Sequence, residues 1–257
     1  VHGRLLGLIL PHAGFIFSGP VVTWGMKRLF AETPLPKRFL LLGPKHTPYG
    51  SPAAISPASA WRTPLGDVPL DEELRTALLE TGAFDADAHA HAQEHSLEVQ
   101  LPFLQASFER SQPSPAPFSI VPLALHFAPF EQCLKWGAAI ATVLSNPKFS
   151  DVRVLVSSDF SHDTPRAEAY RIDSEAINII EHLSAEEFYR LIIEEDRSIC
   201  GVIPITTFLC AISHLKRKIL GSRLTYSTSM DVMSHPRGVG YAAVVFEDIS
   251  AIQPTSR

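Results

Sequence analysis

The chain has 257 residues, 46% of them apolar and 19% charged, enough to bury a sizeable core and too hydrophobic for a globally disordered polypeptide. Its 22 Lys and Arg against 27 Asp and Glu leave a net charge of −5 with no basic block, which argues against a binder that tracks nucleic-acid phosphates. Three cysteines, an odd number, imply no disulfide framework and fit a reducing, cytoplasmic setting, and no apolar run approaches the ~20 residues of a membrane helix.

The first apolar run, Leu5 to Leu10, reads as a buried strand and not as a signal peptide, because no small-residue cleavage site accompanies it. The chain begins at Val1 without an initiator Met, so an upstream segment is expected. Gly19-Pro20 introduces a helix over Val21 to Phe30, and Phe39 to Leu42 is the second buried strand. Proline-rich stretches at Thr33 to Pro36, Ser51 to Pro57 and Gln112 to Pro117 read as loops. Helical patterns cover Asp71 to Glu80 and Leu97 to Phe108, the latter with Leu97, Leu101, Leu104 and Phe108 on one face. Strands follow at Ile120 to Leu125 and Val152 to Val156, separated by a helix over Phe130 to Leu144. Ser174 to Leu183 and Ala185 to Glu194 form a helical pair, with Ser184 and Glu187 at capping-box spacing. A helix over Ile205 to Leu215 follows Pro204, Leu224 to Ser229 alternates like a half-buried strand, and Tyr241 to Phe246 closes the set. The strand runs are nearly continuous in Leu, Ile and Val, as strands covered on both faces are. The order predicts an α/β protein, a mostly parallel or mixed central sheet with helices on both faces, in one domain over residues 1–257.

Ligands of open α/β sheets bind beyond the carboxyl ends of strands, and four of these strands run into a histidine: His12, His46, His126 and His162. If the strands are parallel, the four imidazoles gather at one edge. Glu94 and His95 enter the Leu97 helix, where Glu98 reads equally well as a dipole partner. His89 and His91 lie in an Ala/Asp-rich stretch that reads as solvated loop. Asp231 ends a strand-like run and is by spacing a turn residue, with a ligand role as the alternative. Cys200, beside Gly201 ahead of a helix, reads first as a buried small apolar residue and second as a thiolate favoured by the helix start. Gly238-Val239-Gly240 precedes a strand and is no dinucleotide fingerprint, and there is no phosphate loop, nucleophile elbow or paired-cysteine zinc spacing.

Several motifs occur in an order that resembles the Memo family, also called AmmeMemoRadiSam system protein B. They are Pro11-His12-Ala13-Gly14 running to Gly19, Gly43-Pro44-Lys45-His46, Thr63-Pro64-Leu65-Gly66, Glu94-His95-Ser96-Leu97-Glu98 running to Phe103, Ser157-Ser158-Asp159-Phe160-Ser161-His162, Cys200-Gly201 with Pro204, and the block from Tyr226 to Tyr241. The resemblance implies a three-layer α/β/α fold like that of LigB-type extradiol dioxygenases, and a metal site with two histidines matching His12 and His46. It also implies a third ligand from the C-terminal block, where Asp231 stands in this chain. Two imidazoles and a carboxylate suit Fe(II) with open positions, whereas a thiolate would lean toward zinc or copper(I).

On that reading His12, His46 and Asp231 hold Fe(II), with copper or zinc as alternatives. His162 is the candidate general base, and His95 the next. Asp159 or Glu94 holds their tautomers. The substrate is a small molecule or peptide, with Phe15, Phe17 and Tyr49 as apolar walls. Two rival readings stand beside it. One is a phosphopeptide-binding module that uses Arg62 or Lys45 for the phosphate. The other is an accessory component working with AMMECR1-like and radical-SAM proteins.

Overall fold

Long runs of Leu, Val and Ile set the centre of the molecule, and the connections between them set everything else. The computed structural model describes residues 2–111 and 118–251, so the predicted loop at Gln112 to Pro117 lies outside the described residues. In chain order the elements are β1 (Arg4–Leu10), α1 (Phe15–Leu29), β2 (Arg38–Pro44), β3 (Ala53–Ile55), β4 (Ala60–Thr63), β5 (Gly66–Pro69), α2 (Glu72–Glu80), β6 (Asp85–Ala86) and α3 (Gln100–Ser111). They continue with β7 (Ser119–Leu125), α4 (Phe130–Leu144), β8 (Val152–Ser157), α5 (Arg166–Glu181), α6 (Ala185–Glu194), α7 (Val202–His214), β9 (Ile219–Thr228), α8 (Ser229–Val232) and β10 (Gly240–Asp248).

Among the described residues, eight strands form one mixed sheet in the order β6-β3-β7-β2-β8-β1-β10-β9. The central four, β7, β2, β8 and β1, are parallel to one another. β10 runs antiparallel to β1, and β9 antiparallel to β10, so β9 points the same way as the central four. Their carboxyl ends therefore share one edge.

Alternation within the strands divides the core in two. Phe39 and Leu41 of β2 and Ala243 and Val245 of β10 pack with Val21, Val22 and Met26 of α1 and Leu101, Leu104 and Phe108 of α3. Leu40 and Leu42, with Ala242 and Val244, face the other way onto α2, α4, α5, α6 and α7. Two apolar faces covered by helices give the three-layer α/β/α arrangement.

The differences from the sequence reading have local causes. Helix α1 begins at Phe15 and encloses Pro20; the ring removes one N–H and the helix continues around it. Helix α5 starts at Arg166, well before Ser174. Helix α3 starts at Gln100, yet Leu97 is still buried, because the turn before the helix keeps its side chain on the same face. β3 lies inside the stretch read as a loop, its Ala53 to Ile55 wholly buried between flanking prolines. The short β4–β5 hairpin pairs Ala60 to Thr63 with Gly66 to Pro69. Ser184 does precede α6 but its side chain makes no cap hydrogen bond. The capping box lies instead at Thr228 and Asp231 of α8.

Candidate metal centre

β1 delivers Pro11-His12 to the shared edge, β2 delivers Lys45-His46, and β8 delivers Ser158 to His162. The imidazoles of His12, His46 and His95 converge there. The rings of His12 and His46 lie 5.6 Å apart, those of His12 and His95 5.5 Å, and those of His46 and His95 5.1 Å in a near-parallel stack.

The hydrogen-bond network fixes which nitrogen of each ring is free. His12 is buried, and its Nδ1 lies 2.9 Å from Ser157 Oγ. That hydroxyl donates its one proton to the Ser96 carbonyl at 2.6 Å and accepts from Gln100 Nε2 at 3.0 Å. It has only a lone pair left for His12, so Nδ1–H of His12 donates and Nε2 keeps its lone pair. Burial first, and then the neighbouring His46 and His95, hold the His12 pKa at about 3, so the ring is a neutral donor at physiological pH.

His46 is governed by Glu94, whose side chain is 1% exposed. Burial pushes this carboxyl up, but hydrogen bonds from the His46 ring and from the Ser96 and His46 N–H groups outweigh it and hold the pKa at about 2. The ionised group accepts from the N–H groups of His46 (2.5 Å), His95 (2.9 Å) and Ser96 (2.9 Å) and from His46 Nδ1 at 2.9 Å. The free nitrogen of His46 is again Nε2. This is the carboxylate–imidazole arrangement that orients metal-ligating histidines.

The third donor comes from a helix start. Cys200 Sγ lies 3.4 Å from His12 Nε2 and accepts the Asp159 N–H at 3.2 Å. His12, His46 and Cys200 each offer one ligand atom, all within 4.8 Å of one another, and a second group, His46, Glu94 and His95, meets the same test. Cys200, read from the sequence first as a buried small apolar residue, is thus placed beside two imidazoles. Burial, then the nearby Asp159 charge, push its thiol up to about 12, so the helix start does not by itself make it a thiolate. Gly201 makes the approach possible: a Cβ there would lie 2.2 Å from Ser158 Oγ and 2.3 Å from Ser158 Cβ.

Asp231 is brought to the same edge but not to the imidazoles, and neither donor group among the described residues includes it. It follows β9, two strands beyond β1 and four beyond β2. At ~4.8 Å per strand that is roughly 10 and 19 Å of sheet. Its oxygens are also taken. Oδ1 accepts from Arg166 Nε at 2.6 Å, and Oδ2 from the Thr228 N–H (2.7 Å), the Thr228 hydroxyl (2.8 Å) and the Tyr170 hydroxyl (3.0 Å). Burial opposes its ionisation, but the Thr228 groups, Arg166 and Tyr170 hold the pKa at about 2.

The remaining candidates divide. Asp159 does not pair with His162; its Oδ1 accepts the N–H groups of His12 (2.9 Å) and Ala13 (3.3 Å), and burial raises its pKa. His162 donates Nδ1–H to the Ser198 carbonyl at 2.7 Å and its backbone N–H to Ser198 Oγ at 2.8 Å. A carbonyl only accepts, so its Nε2 carries the lone pair. His126 belongs to neither donor group; its N–H is held by the Pro52 carbonyl. Phe15 and Tyr49 are more than half exposed, whereas Phe17 packs on the core. The two cations considered for a phosphate are both engaged: Lys45 Nζ donates to the Tyr49 and Gly50 carbonyls, and Arg62 donates to both oxygens of Asp67.

No helix among the described residues is long and apolar enough to cross a membrane. The sequence matches the family description Memo-like protein over residues 2–245. It is 37% identical over 248 residues to a MEMO1 family protein of Methanosarcina mazei, covering 95% of this chain and 86% of that one. It is 38% identical over 244 residues to MEMO1 family protein MK0963 of Methanopyrus kandleri, covering 94% and 83%. A MEMO1 family protein of Aquifex aeolicus is 34% identical over 244 residues, with 93% and 85% covered. Among solved structures, an uncharacterized protein, JW3007, from Escherichia coli K12 superposes with a TM-score of 0.62 at 14% identity, covering 94% of this chain and 99% of that one. That likeness shows the fold.

Proposed function

The chain belongs to the Memo-like protein family, and from that premise we propose that it is a metal-dependent oxidoreductase whose mononuclear centre is held by His12, His46 and Cys200. The observation that carries the reading is the convergence of three donors from three separate segments, with both histidine nitrogens freed by fixed partners on the other side of each ring. The donor chemistry fits a first-row transition metal. A thiolate in place of the expected carboxylate makes the set softer, which favours copper or zinc more than a two-histidine, one-carboxylate site would while keeping iron(II) within range. An iron or copper ion there would supply Lewis acidity and redox chemistry with oxygen.

The chain's own residues supply positioning and proton handling. Ser157 and Glu94 hold the two imidazoles in one tautomer and one orientation, so neither ring reorganises when its Nε2 is used. His162 presents a free Nε2 while the Ser198 carbonyl is placed to stabilise the N–H of the imidazolium it becomes on taking a proton. His95, stacked on His46 and with its Nδ1 3.6 Å from Glu94 Oε1, is the second proton carrier. Phe15 stands on the rim as an apolar wall for a small organic or peptide substrate.

The test is metal analysis of protein purified without oxygen. Wild type and Asp231→Ala are expected to carry close to one equivalent of iron or copper, and His12→Ala and Cys200→Ala to carry little. Metal retained in Cys200→Ala, or lost in Asp231→Ala with the fold intact, overturns the assignment. Zinc as the sole occupant keeps the site and overturns the redox chemistry.

A further inference from the structure

The β4–β5 hairpin stands over the entry to α3 and leaves two adjoining grooves, of about 420 and about 440 Å³, which share Arg62 and Glu98. The outer groove is apolar, walled by Phe15, Pro64, Leu65, Val99 and Pro102. Phe15 and Leu65 are each 55% exposed, a concentration of open apolar surface that solvent does not favour. The inner groove passes Trp61 and His91 and reaches Glu94, the carboxylate that holds His46. Phe15 follows His12 by three residues and Glu98 follows His95 by three, so the double groove opens beside the proposed metal donors.

Its charge is one-sided. Arg62 is matched by Asp67, which accepts from its Nε at 2.8 Å and from a terminal nitrogen at 3.1 Å. Glu98 is exposed and makes no ion pair or side-chain hydrogen bond among the described residues. The junction of the two grooves thus offers an apolar wall with one unmatched carboxylate. That pairing repels carboxylates and phosphates and complements a cation on an apolar body.

We propose that this double groove binds a small arylalkyl ammonium, with the aryl group between Phe15, Leu65 and Pro102 and the ammonium at Glu98. The inference names a substrate class for the proposed oxidoreductase and rests on that reading only for the ligand's place beside the metal donors. Binding is therefore measured on metal-free protein, while metal content is measured separately on the same preparation, so either can fail alone.

The probe is 2-phenylethylamine, titrated calorimetrically or by ligand-detected NMR beside its N-acetyl derivative and the tripeptide Phe-Gly-Gly. The amine is expected to bind at least about tenfold more tightly than the acetyl derivative. Glu98→Gln weakens the amine about tenfold and removes that preference. Leu65→Ser, at the exposed hairpin tip, weakens both small ligands about threefold. No binding of the amine, equal binding of the amine and its acetyl derivative, or an unchanged affinity in Glu98→Gln overturns the proposal. Tighter binding of the tripeptide than of the amine overturns the assignment of a small-molecule occupant.

Discussion

Cys200 Sγ lies 3.4 Å from Nε2 of His12, although 188 residues separate them in the chain. β1 carries one partner to the sheet edge, and the start of α7, seated on the loop after β8, carries the other. If this pair is one side of a metal site, the sulfur must bond the ion. Protein loaded with Co(II) in place of the native metal should then show an intense near-ultraviolet thiolate charge-transfer band. Cys200→Ser should lose the band while keeping its circular dichroism. A band of undiminished intensity in Cys200→Ser would place the sulfur outside the coordination sphere.

The groups behind the two imidazoles make a second prediction. Ser157→Ala removes the acceptor of His12 Nδ1–H, and Glu94→Gln removes the charged acceptor of His46 Nδ1–H. Each is expected to lower metal affinity about ten- to a hundredfold. They differ in stability. Glu94 also satisfies three backbone N–H groups, and an amide cannot accept them all, so Glu94→Gln should cost about 1–3 kcal/mol in the metal-free protein. Competition with a chelating dye gives the affinities and urea unfolding the stabilities. A Glu94→Gln variant with wild-type values of both would remove its assigned role.

The contrast between His12, His46 and Cys200 explains how far the sequence could be read. Buried parallel strands announce themselves as apolar runs, and a histidine after such a run lands at the carboxyl edge of the sheet whatever the strand order; the placement of His12 and His46 at that edge was legible on that ground. Strand order is not legible locally, because it depends on crossovers between distant segments. Asp231 follows a strand pointing the right way, but that strand lies at the far side of the sheet. One local signal did mark it: Thr228-x-x-Asp231 has capping-box spacing, the same pattern read at Ser184 and Glu187, where no side-chain cap forms. Cys200 comes from a helix start over one face of the sheet, so a search restricted to strand ends passes it by; the adjoining Gly201, needed for contact with Ser158, was the cue beside it. β3 was hidden by flanking prolines, because three buried residues are too few to show a period.

Gly201 yields a third prediction. A methyl group there would meet both side-chain atoms of Ser158 well inside contact distance, and both residues are buried. Gly201→Ala should therefore destabilise by about 1–3 kcal/mol and shift Cys200 away from His12, lowering metal affinity. Adding Ser158→Gly, which clears the space, should restore much of the affinity. Single-variant affinity equal to wild type would mean that the α7 start moves freely without disturbing the donors.

The capping role of Asp231 sets a pH dependence distinct from that of the metal. Its folded-state pKa is held at about 2, below the ordinary carboxylate range, so the ionised form is favoured by folding. The stabilisation is fully present above the unfolded-state pKa of ~4 and is lost as pH falls through that value toward 2. Asp231→Asn should lower stability at pH 7 by about 1 kcal/mol, the size of a lost helix cap, and should flatten the stability profile of the metal-free protein between pH 4 and 2. The exposed position of the residue keeps the effect small. Urea midpoints for both proteins across that range provide the measurement. A difference that grows on acidification would have the wrong sign, since protonation removes in the wild type the same charge that the amide lacks.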